Sequence, residues 1–298
     1  MTVVDTLRRF NRTYTQRVGV LEESHLGTGR TLGASRLLYE VDGDTGSTVG
    51  ELRDLLGLDS GYVARLLRAL ESDGLVATEP DPADRRRRRV VLTAAGRAAR
   101  ADLDQRSEDL AARLVAPLTP RQQARLDDAL ATAELLVRAA TVELREVDPA
   151  DPASVRAARE ALDRYVAEVA DRLSGGFAPS GLDAVEPGST WVVATSDGRP
   201  AAYGGIRPVD LPAGVAGDGP AVEVKRMWVD PAWRGAGLGG RMLRHLEELA
   251  RSRGAERVAL DTNSALDEAV ALYERAGYAR VERYNDNVDA ELFFAKRL

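Results

Sequence analysis

The chain has no cysteine in 298 residues. That absence excludes disulfides, thiolate nucleophiles, cysteine redox switches and cysteine-ligated zinc together. Histidine is nearly as scarce, with His25 and His245 the two copies, so no histidine-ligated metal centre is expected. Lysine is scarce too: apart from Lys225 and Lys296, all 41 basic residues are arginine. Together with plentiful Ala, Gly and Leu, this points to a GC-rich bacterial genome. No apolar run approaches a membrane span, and Met1 to Leu21 lacks the apolar centre of a signal peptide, so the expected compartment is the bacterial cytoplasm.

What is present is the composition of a folded chain, 44% hydrophobic and 30% charged, at a length that suggests two domains. Residues 1–140 carry 21 basic and 21 acidic side chains. The remainder carries 20 against 26 and so holds the whole net charge of -6. The neutral first part still concentrates positive charge in Arg85-Arg86-Arg87-Arg88-Arg89. For a polyanionic partner such a local patch matters more than the sum.

The chain is organised around Val222 to Gly240, which reads V-E-V-K-R-M-W-V-D-P-A-W-R-G-A-G-L-G-G. Its apolar, partly β-branched start predicts a strand that ends at Asp230-Pro231. From Leu238 the apolar positions Leu238, Met242, Leu246 and Leu249 recur at helical spacing. The join, Arg234-Gly235-Ala236-Gly237-Leu238-Gly239-Gly240, lets bare backbone N–H groups at a helix N-terminus approach an anion. Gly235, Gly237 and Gly240 have the G-x-G-x-x-G spacing of dinucleotide folds, but they do not directly follow the strand, which ends at Asp230-Pro231, and the G-K-[ST] ending of a P-loop is absent.

The spacing of Arg234, Gly237 and Gly239 resembles the [QR]-x-x-G-x-[GA] signature of the GNAT family of acyl-CoA N-acyltransferases. Glu223 to Val229 is similar to that family's fourth strand. Leu260-Asp261-Thr262-Asn263, followed by Ala269 to Tyr278, is similar to its second cofactor motif. The resemblance implies an α/β domain over 141–298 with a mixed, mostly antiparallel sheet, acetyl-CoA as co-substrate, and direct transfer to an amine of a small molecule or protein lysine. In that reading Arg234, Gly235, Ala236, Gly237, Leu238, Gly239 and Gly240 cradle the pyrophosphate, while Met227, Trp228 and Val229 offer amides to the pantetheine arm and thioester oxygen. Tyr273 matches the tyrosine that protonates the departing thiolate; the alternative is core packing, because Ala269, Leu272 and Ala276 share its helical face. Glu223, an acid in an apolar strand, is the candidate base or the residue that orders a water serving as one, with a salt bridge to a nearby cation as the alternative. Asn263 either bonds the pantetheine arm or caps the following helix. Trp228 and Trp233 fit buried packing better than a substrate pocket.

In the first part, Thr48 and Glu51 form a capping box, and Val49, Leu52, Leu55 and Leu56 share one helical face. After Gly57-Leu58, Asp59 or Ser60 caps a second helix. That helix buries Val63, Leu66, Leu67 and Leu70 and exposes Ser60, Gly61, Ala64, Arg65 and Arg68. Two short helices of this kind form the pattern of a helix-turn-helix that reads the major groove. Leu75 to Glu79, a turn at Pro80 to Asp84, and Arg88 to Leu92 then predict a hairpin with the arginine run at its tip. Asp84-Arg85-Arg86 with Leu92-Thr93-Ala94-Ala95-Gly96 resembles the wing of the MarR family of winged-helix repressors, Arg87 standing where that family has a small residue. Leu70 to Val76 is similar to its recognition-helix ending.

This second resemblance implies a mainly α, winged helix-turn-helix domain over 1–140 that binds double-stranded DNA at a palindromic operator as a homodimer. Ser60, Gly61, Tyr62, Arg65, Arg68 and Asp84 to Arg88 would form its DNA face. Helices near 94–115 and 120–139 join the first helix in the dimer interface, with Leu126, Leu130, Leu135 and Leu136 available to it. The whole chain therefore reads as a multidomain fusion, a DNA-binding regulator joined to an N-acetyltransferase. The alternative is a regulator whose second domain senses acetyl-CoA without turnover.

Overall fold

The computed structural model describes residues 2–20, 22–82, 85–173, 188–196 and 199–298. Asp84 lies outside them, as do Gly175-Gly176, which the sequence predicts to end a helix beginning near Ser154, and Asp197-Gly198, predicted to turn a hairpin. The chain forms two compact units, Met1–Leu126 and Asp127–Leu298.

The first unit contains α1 (Val3–Arg17), α2 (Leu32–Glu40), the two-residue β1 (Ser47–Thr48), α3 (Val49–Leu56) and α4 (Ser60–Ser72). A hairpin of β2 (Val76–Pro80) and β3 (Arg88–Leu92) follows, then α5 (Ala94–Val115) and the start of α6 (Pro120–Thr141). Local chemistry sets most of these starts. Both capping-box hydrogen bonds of Thr48 and Glu51 are made, and Asp59 rather than Ser60 caps α4 by accepting from the Tyr62 N–H at 2.9 Å. Leu37, Leu38, Leu52, Val63, Leu70 and Val90 are fully buried and pack α2, α3, α4 and the hairpin into one core. Strand β1 adds a pairing that the hydrophobic pattern does not announce: Ser47 and Thr48 align with Val90 and Arg89, which fastens the wing to the start of α3. Helix α1 buries none of its residues, and its Val3, Val4, Leu7, Phe10 and Tyr14 are exposed.

The second unit is a seven-stranded sheet with helices on both faces. After α6 come β4 (Glu143–Glu146), α7 (Pro152–Arg172), β5 (Thr190–Ser196), β6 (Arg199–Pro208) and β7 (Ala221–Val229). They are followed by α8 (Leu238–Ser252), β8 (Arg257–Thr262), α9 (Asp267–Arg275), β9 (Ala279–Val281) and β10 (Leu292–Arg297). The strand order is β4-β5-β6-β7-β8-β10-β9. Every neighbouring pair is antiparallel except β7 and β8. The alternation of Thr141 to Val147 predicts an exposed or edge strand, and β4 lies at the edge of the sheet. One sheet face, with Val192, Ala194, Ile206, Val222 and Val224, packs on Met242, Leu243 and Leu246 of α8 and on Ala139 at the end of α6. The other, with Trp191, Val193, Tyr203 and Trp228, packs on Ala158, Ala161 and Leu162 of α7. Gly205 has a packing reason: a Cβ there would overlap the Trp191 ring. No described helix is long and apolar enough to cross a membrane.

Candidate functional sites

Strands β7 and β8 run parallel and pair only at Ala221, Val222 and Glu223 with Arg257, Val258 and Ala259. Beyond that point β7 continues along β6 and β8 along β10, so the two separate. A bulge marks the departure. Tyr203 and Gly205 of β6 face Trp228 and Lys225, leaving two β7 residues opposite one, and Arg226 takes a left-handed φ of 53°. At this opening lies a cavity of about 400 Å³, lined by Lys225, Arg226, Met227, Asp261, Asn263 and Tyr273 among others. Neither the bulge nor the early end of pairing has a signature in the hydrophobic pattern.

The glycine-rich join follows β7. Asp230 starts a short 3-10 turn, Pro231–Trp233, and Gly235 and Gly237 then take φ of 82° and 76°, a region glycine enters without strain. Helix α8 begins on Gly237 with no side-chain cap, and its first intrahelical bond runs from the Arg241 N–H to the Gly237 carbonyl at 3.1 Å. The N–H groups of Leu238, Gly239 and Gly240 therefore precede the helix's own bonding. Gly235 and Gly237 are exposed, whereas Leu238 is buried and anchors the helix in the core. Ala236 also packs against that core. The Arg234 guanidinium turns back to the Val229 carbonyl and to Glu168. Any cradle here is thus made by backbone. Arg241 donates to the Ala139 and Val142 carbonyls, placing a cation at the C-terminus of α6.

Tyr273 lies in α9, 6% exposed, with its ring 6.1 Å from those of Tyr278 and Phe294. It packs in the core and also lines the cavity. Burial, and after it Tyr165 and Asp261, push its phenol well above the ordinary tyrosine value, so it stays protonated at any physiological pH. Tyr165 of α7 also lines the cavity. Burial foremost, with the charges of Asp261 and Asp289, pushes it up to about 12 against the opposing influence of Arg226.

Glu223, 1% exposed, does not line the cavity. Its carboxylate accepts from Arg207 Nε at 2.9 Å, the Tyr284 hydroxyl at 2.9 Å and Asn285 Nδ2 at 2.8 Å, with Lys225 Nζ at 3.5 Å. Asp261 accepts from Lys225 Nζ at 2.7 Å, Asn285 Nδ2 at 2.9 Å and Asn287 Nδ2 at 3.0 Å. Burial alone would raise the Asp261 carboxyl; Lys225 and the two amides outweigh it and hold it below the usual value. This network joins β7, β8 and the segment between β9 and β10. Sequence reading missed Lys225, Tyr284, Asn285 and Asn287 as site residues, because the bonds connect positions 24 to 62 residues apart. Asn263 is committed at both ends: Nδ2 donates to the Asp289 carbonyl, and Oδ1 accepts from the Ala265 N–H, closing a turn ahead of α9 instead of capping it. Trp228 is buried on the α7 face with Nε1 bonded to Glu168 at 3.0 Å, and Trp233 lies in the core beneath Arg138.

In the first unit α4 presents Ser60, Gly61, Ala64, Arg65 and Arg68 to solvent over a buried Val63, Leu66, Leu67 and Leu70. Tyr62 is half-buried, with the Arg65 guanidinium 5.4 Å from its ring centroid. Beyond the hairpin's strands Arg85, Arg86 and Arg87 are exposed. Arg88 reaches back to the Thr78 carbonyl, and Arg89 pairs with Glu79 at 2.5 Å. The arginine run is therefore exposed from Arg85 to Arg88, with Arg88 tied back to its paired strand, and structural at Arg89.

The family models fall on these two sites. The Acetyltransferase (GNAT) family model matches residues 144–278 and the MarR family model residues 28–87. Two curated relatives are each 32% identical. "IAA acetyltransferase" of Azospirillum brasilense aligns over 123 residues, 40% of this chain and 73% of that protein. "Uncharacterized N-acetyltransferase YjgM" of Escherichia coli (strain K12) aligns over 97, 33% of this chain and 55% of that protein. A solved structure of the reduced form of MarR from E. coli is 26% identical and covers 45% of this chain and 96% of its own, with a TM-score of 0.38. The chain belongs to the GNAT acetyltransferase family. It is a fusion in which that domain follows a winged-helix region of the MarR family.

Proposed function

We propose that the second unit binds acetyl-CoA and transfers its acetyl group to an amine, and that the first binds operator DNA as a homodimer. The observation that carries the enzymatic reading is that an uncapped helix start, whose Gly239 neighbours Val229 at the end of β7 and Leu272 of α9, stands next to a buried, protonated tyrosine that lines the opening in the sheet. The N–H groups of Leu238, Gly239 and Gly240, with the positive end of the α8 dipole, suit a pyrophosphate. Bound there, acetyl-CoA supplies an activated thioester. The backbone of Met227, Trp228 and Val229, past the bulge, is assigned to the pantetheine arm and the developing oxyanion. Tyr273 gives its proton to the sulfur as the C–S bond breaks. Glu223, which does not line the cavity, takes the amine proton through a water held at the Tyr284 hydroxyl. Asn263 orders the segment beside the arm.

For the first unit, Ser60, Gly61, Tyr62, Arg65 and Arg68 are assigned to the major groove, and Arg85, Arg86, Arg87 and Arg88 of the wing to flanking phosphates, with Asp84 holding the arginines of the tip in place. The exposed apolar stripe of α1 supports a homodimer, and hence a near-palindromic operator.

The test is isothermal titration with acetyl-CoA, then thiol release over a panel of amines, for the wild-type protein and Tyr273→Phe. Binding by both with turnover reduced about a hundredfold in the variant supports the reading. Binding without turnover on any amine would make this unit a sensor of acetyl-CoA, and no binding would remove the cradle altogether.

A further inference from the structure

Six charged side chains line the cavity at the strand opening: Arg207, Lys225, Arg226, Asp261, Asp286 and Asp289. The cations and Asp261 are engaged within the protein. Arg207 bonds Glu223; Lys225 bonds Asp261 and lies 3.5 Å from Glu223; Arg226 lies over the Trp191 ring at 5.1 Å. Asp286 and Asp289 have neither a side-chain hydrogen bond nor an ion pair among the described residues.

The segment that carries these two acids is pinned by groups that do not neutralise them. Asn285 and Asn287 spend their amide N–H groups on Glu223 and Asp261, while their oxygens accept from the Asn287 and Asp289 N–H. Arg283 donates to the Asn287 and Ala290 carbonyls, and Asn263 to the Asp289 carbonyl. The two carboxylates therefore stand preorganised beside a cavity with no counter-ion of their own among the described residues. Asp289 is felt inside it, since its charge helps to raise the Tyr165 phenol. Val169, Leu173 and Leu266 line the same cavity and offer apolar wall to a methylene chain.

We propose that the acceptor is an aliphatic di- or polyamine, one nitrogen of which is acetylated while a second, still protonated, is held by Asp286 and Asp289. This rests on the acetyltransferase reading of the same site. The reacting nitrogen forms the amide C–N bond and gives its proton to the base; the C–S bond breaks and the sulfur takes a proton from Tyr273. The second nitrogen keeps its proton and charge throughout. An acceptor carrying a carboxylate would meet like charge at these two residues, which is how the wall discriminates.

The experiment compares 1,4-diaminobutane with n-butylamine on the full chain. It reads thiol release in the presence of acetyl-CoA and, separately, calorimetric binding of each amine. The diamine should exceed the monoamine in kcat/KM by about tenfold, a preference that shrinks with added salt. In Asp286→Asn/Asp289→Asn the ratio should fall towards one. Glu282→Gln, an exposed acid of the same segment that does not line the cavity, should leave the ratio unchanged, and thermal melts check that each variant is folded. Equal rates for the two amines, or a preference that survives in the double variant, would overturn the proposal and spare the transferase. Selective diamine binding without thiol release on any amine would keep the charge recognition and overturn the transferase. Neither binding nor release would overturn both.

Discussion

Helices α5 and α8 both begin right after a strand or the turn that follows one, and their starts are built in opposite ways. At α5, Thr93 accepts from the Gly96 N–H at 2.9 Å and donates to the Gly74 carbonyl at 2.7 Å, and its own N–H bonds the Leu75 carbonyl. Gly96 sits so close to Leu75 that the helix end is sealed against backbone. At α8 the cap residue is Gly237, and no side chain closes the end. Helices α1, α2, α3, α4 and α7 are also capped by a threonine or aspartate side chain. The start of α9 at Leu266 also lacks a side-chain cap, and it borders the cavity at the β7 opening. A sealed start serves the fold; an open one leaves donors for something outside it.

The comparison breaks most visibly at Gly96. A Cβ there would overlap the Leu75 carbonyl oxygen, which cannot move without shifting the strand that follows. Gly96→Ala gains helix propensity of about 1 kcal/mol but incurs overpacking of up to about 3 kcal/mol, so the winged unit should be destabilised by roughly 2 kcal/mol. Circular dichroism melts should show its transition lowered by about 10 °C, with acetyl-CoA affinity intact. An unchanged transition would mean that the glycine is not there for clearance.

The α5 start also shows which features sequence can reveal. The Thr48–Glu51 box and the glycines before Leu238 were legible because caps and turns act over three or four residues, whereas Thr93 and Gly96 were read only as part of a wing motif, without the cap and the clearance they provide. The alternating strands and the helical faces were legible for the same reason. The Arg257 clamp was not. This buried arginine donates to the carbonyls of Pro212, Val215, Gly217 and Gly219 and holds the loop before β7, although in sequence it looks like the first residue of an ordinary strand. The Glu223–Asp261 network, the bulge at Arg226 and the parting of β7 from β8 depend on register between distant strands, which hydrophobic pattern does not specify at single-residue level. At the candidate site the local half was therefore readable, and the half assembled across the sheet was not.

A smaller effect is expected at Gly237. Nothing lies within 4 Å of a Cβ built there, so only the left-handed φ of 76° opposes a side chain. Gly237→Ala should lower the stability of the second unit by about 1–2 kcal/mol, the strain of an alanine in that region. Acetyl-CoA should bind about tenfold more weakly, because a residue that relaxes out of that conformation takes the first N–H groups of α8 with it. Calorimetry and a denaturant titration on one preparation would separate the two effects. Lost stability with undiminished affinity would detach the turn from the ligand.

The smallest stability change, and the one that sharpens the comparison most, belongs to Gly239. It has ordinary helical φ, and its added Cβ would meet Leu272 at 3.5 Å and Val229 at 3.6 Å, normal contact distances. If this position served the fold alone, alanine would be the better residue, by about 0.5–1 kcal/mol of helix propensity. Gly239→Ala should therefore raise the melting temperature of the protein slightly. The same methyl would sit between the end of β7 and helix α9, walls that the proposed acyl-CoA site requires apart, so affinity for acetyl-CoA should fall. Opposite signs for stability and binding at one residue would mark a glycine retained for the ligand. A variant that is more stable and binds acetyl-CoA as well as the wild type would show that Gly239 lies off the path of the arm, and would leave Gly235 and Gly237 to define the cradle.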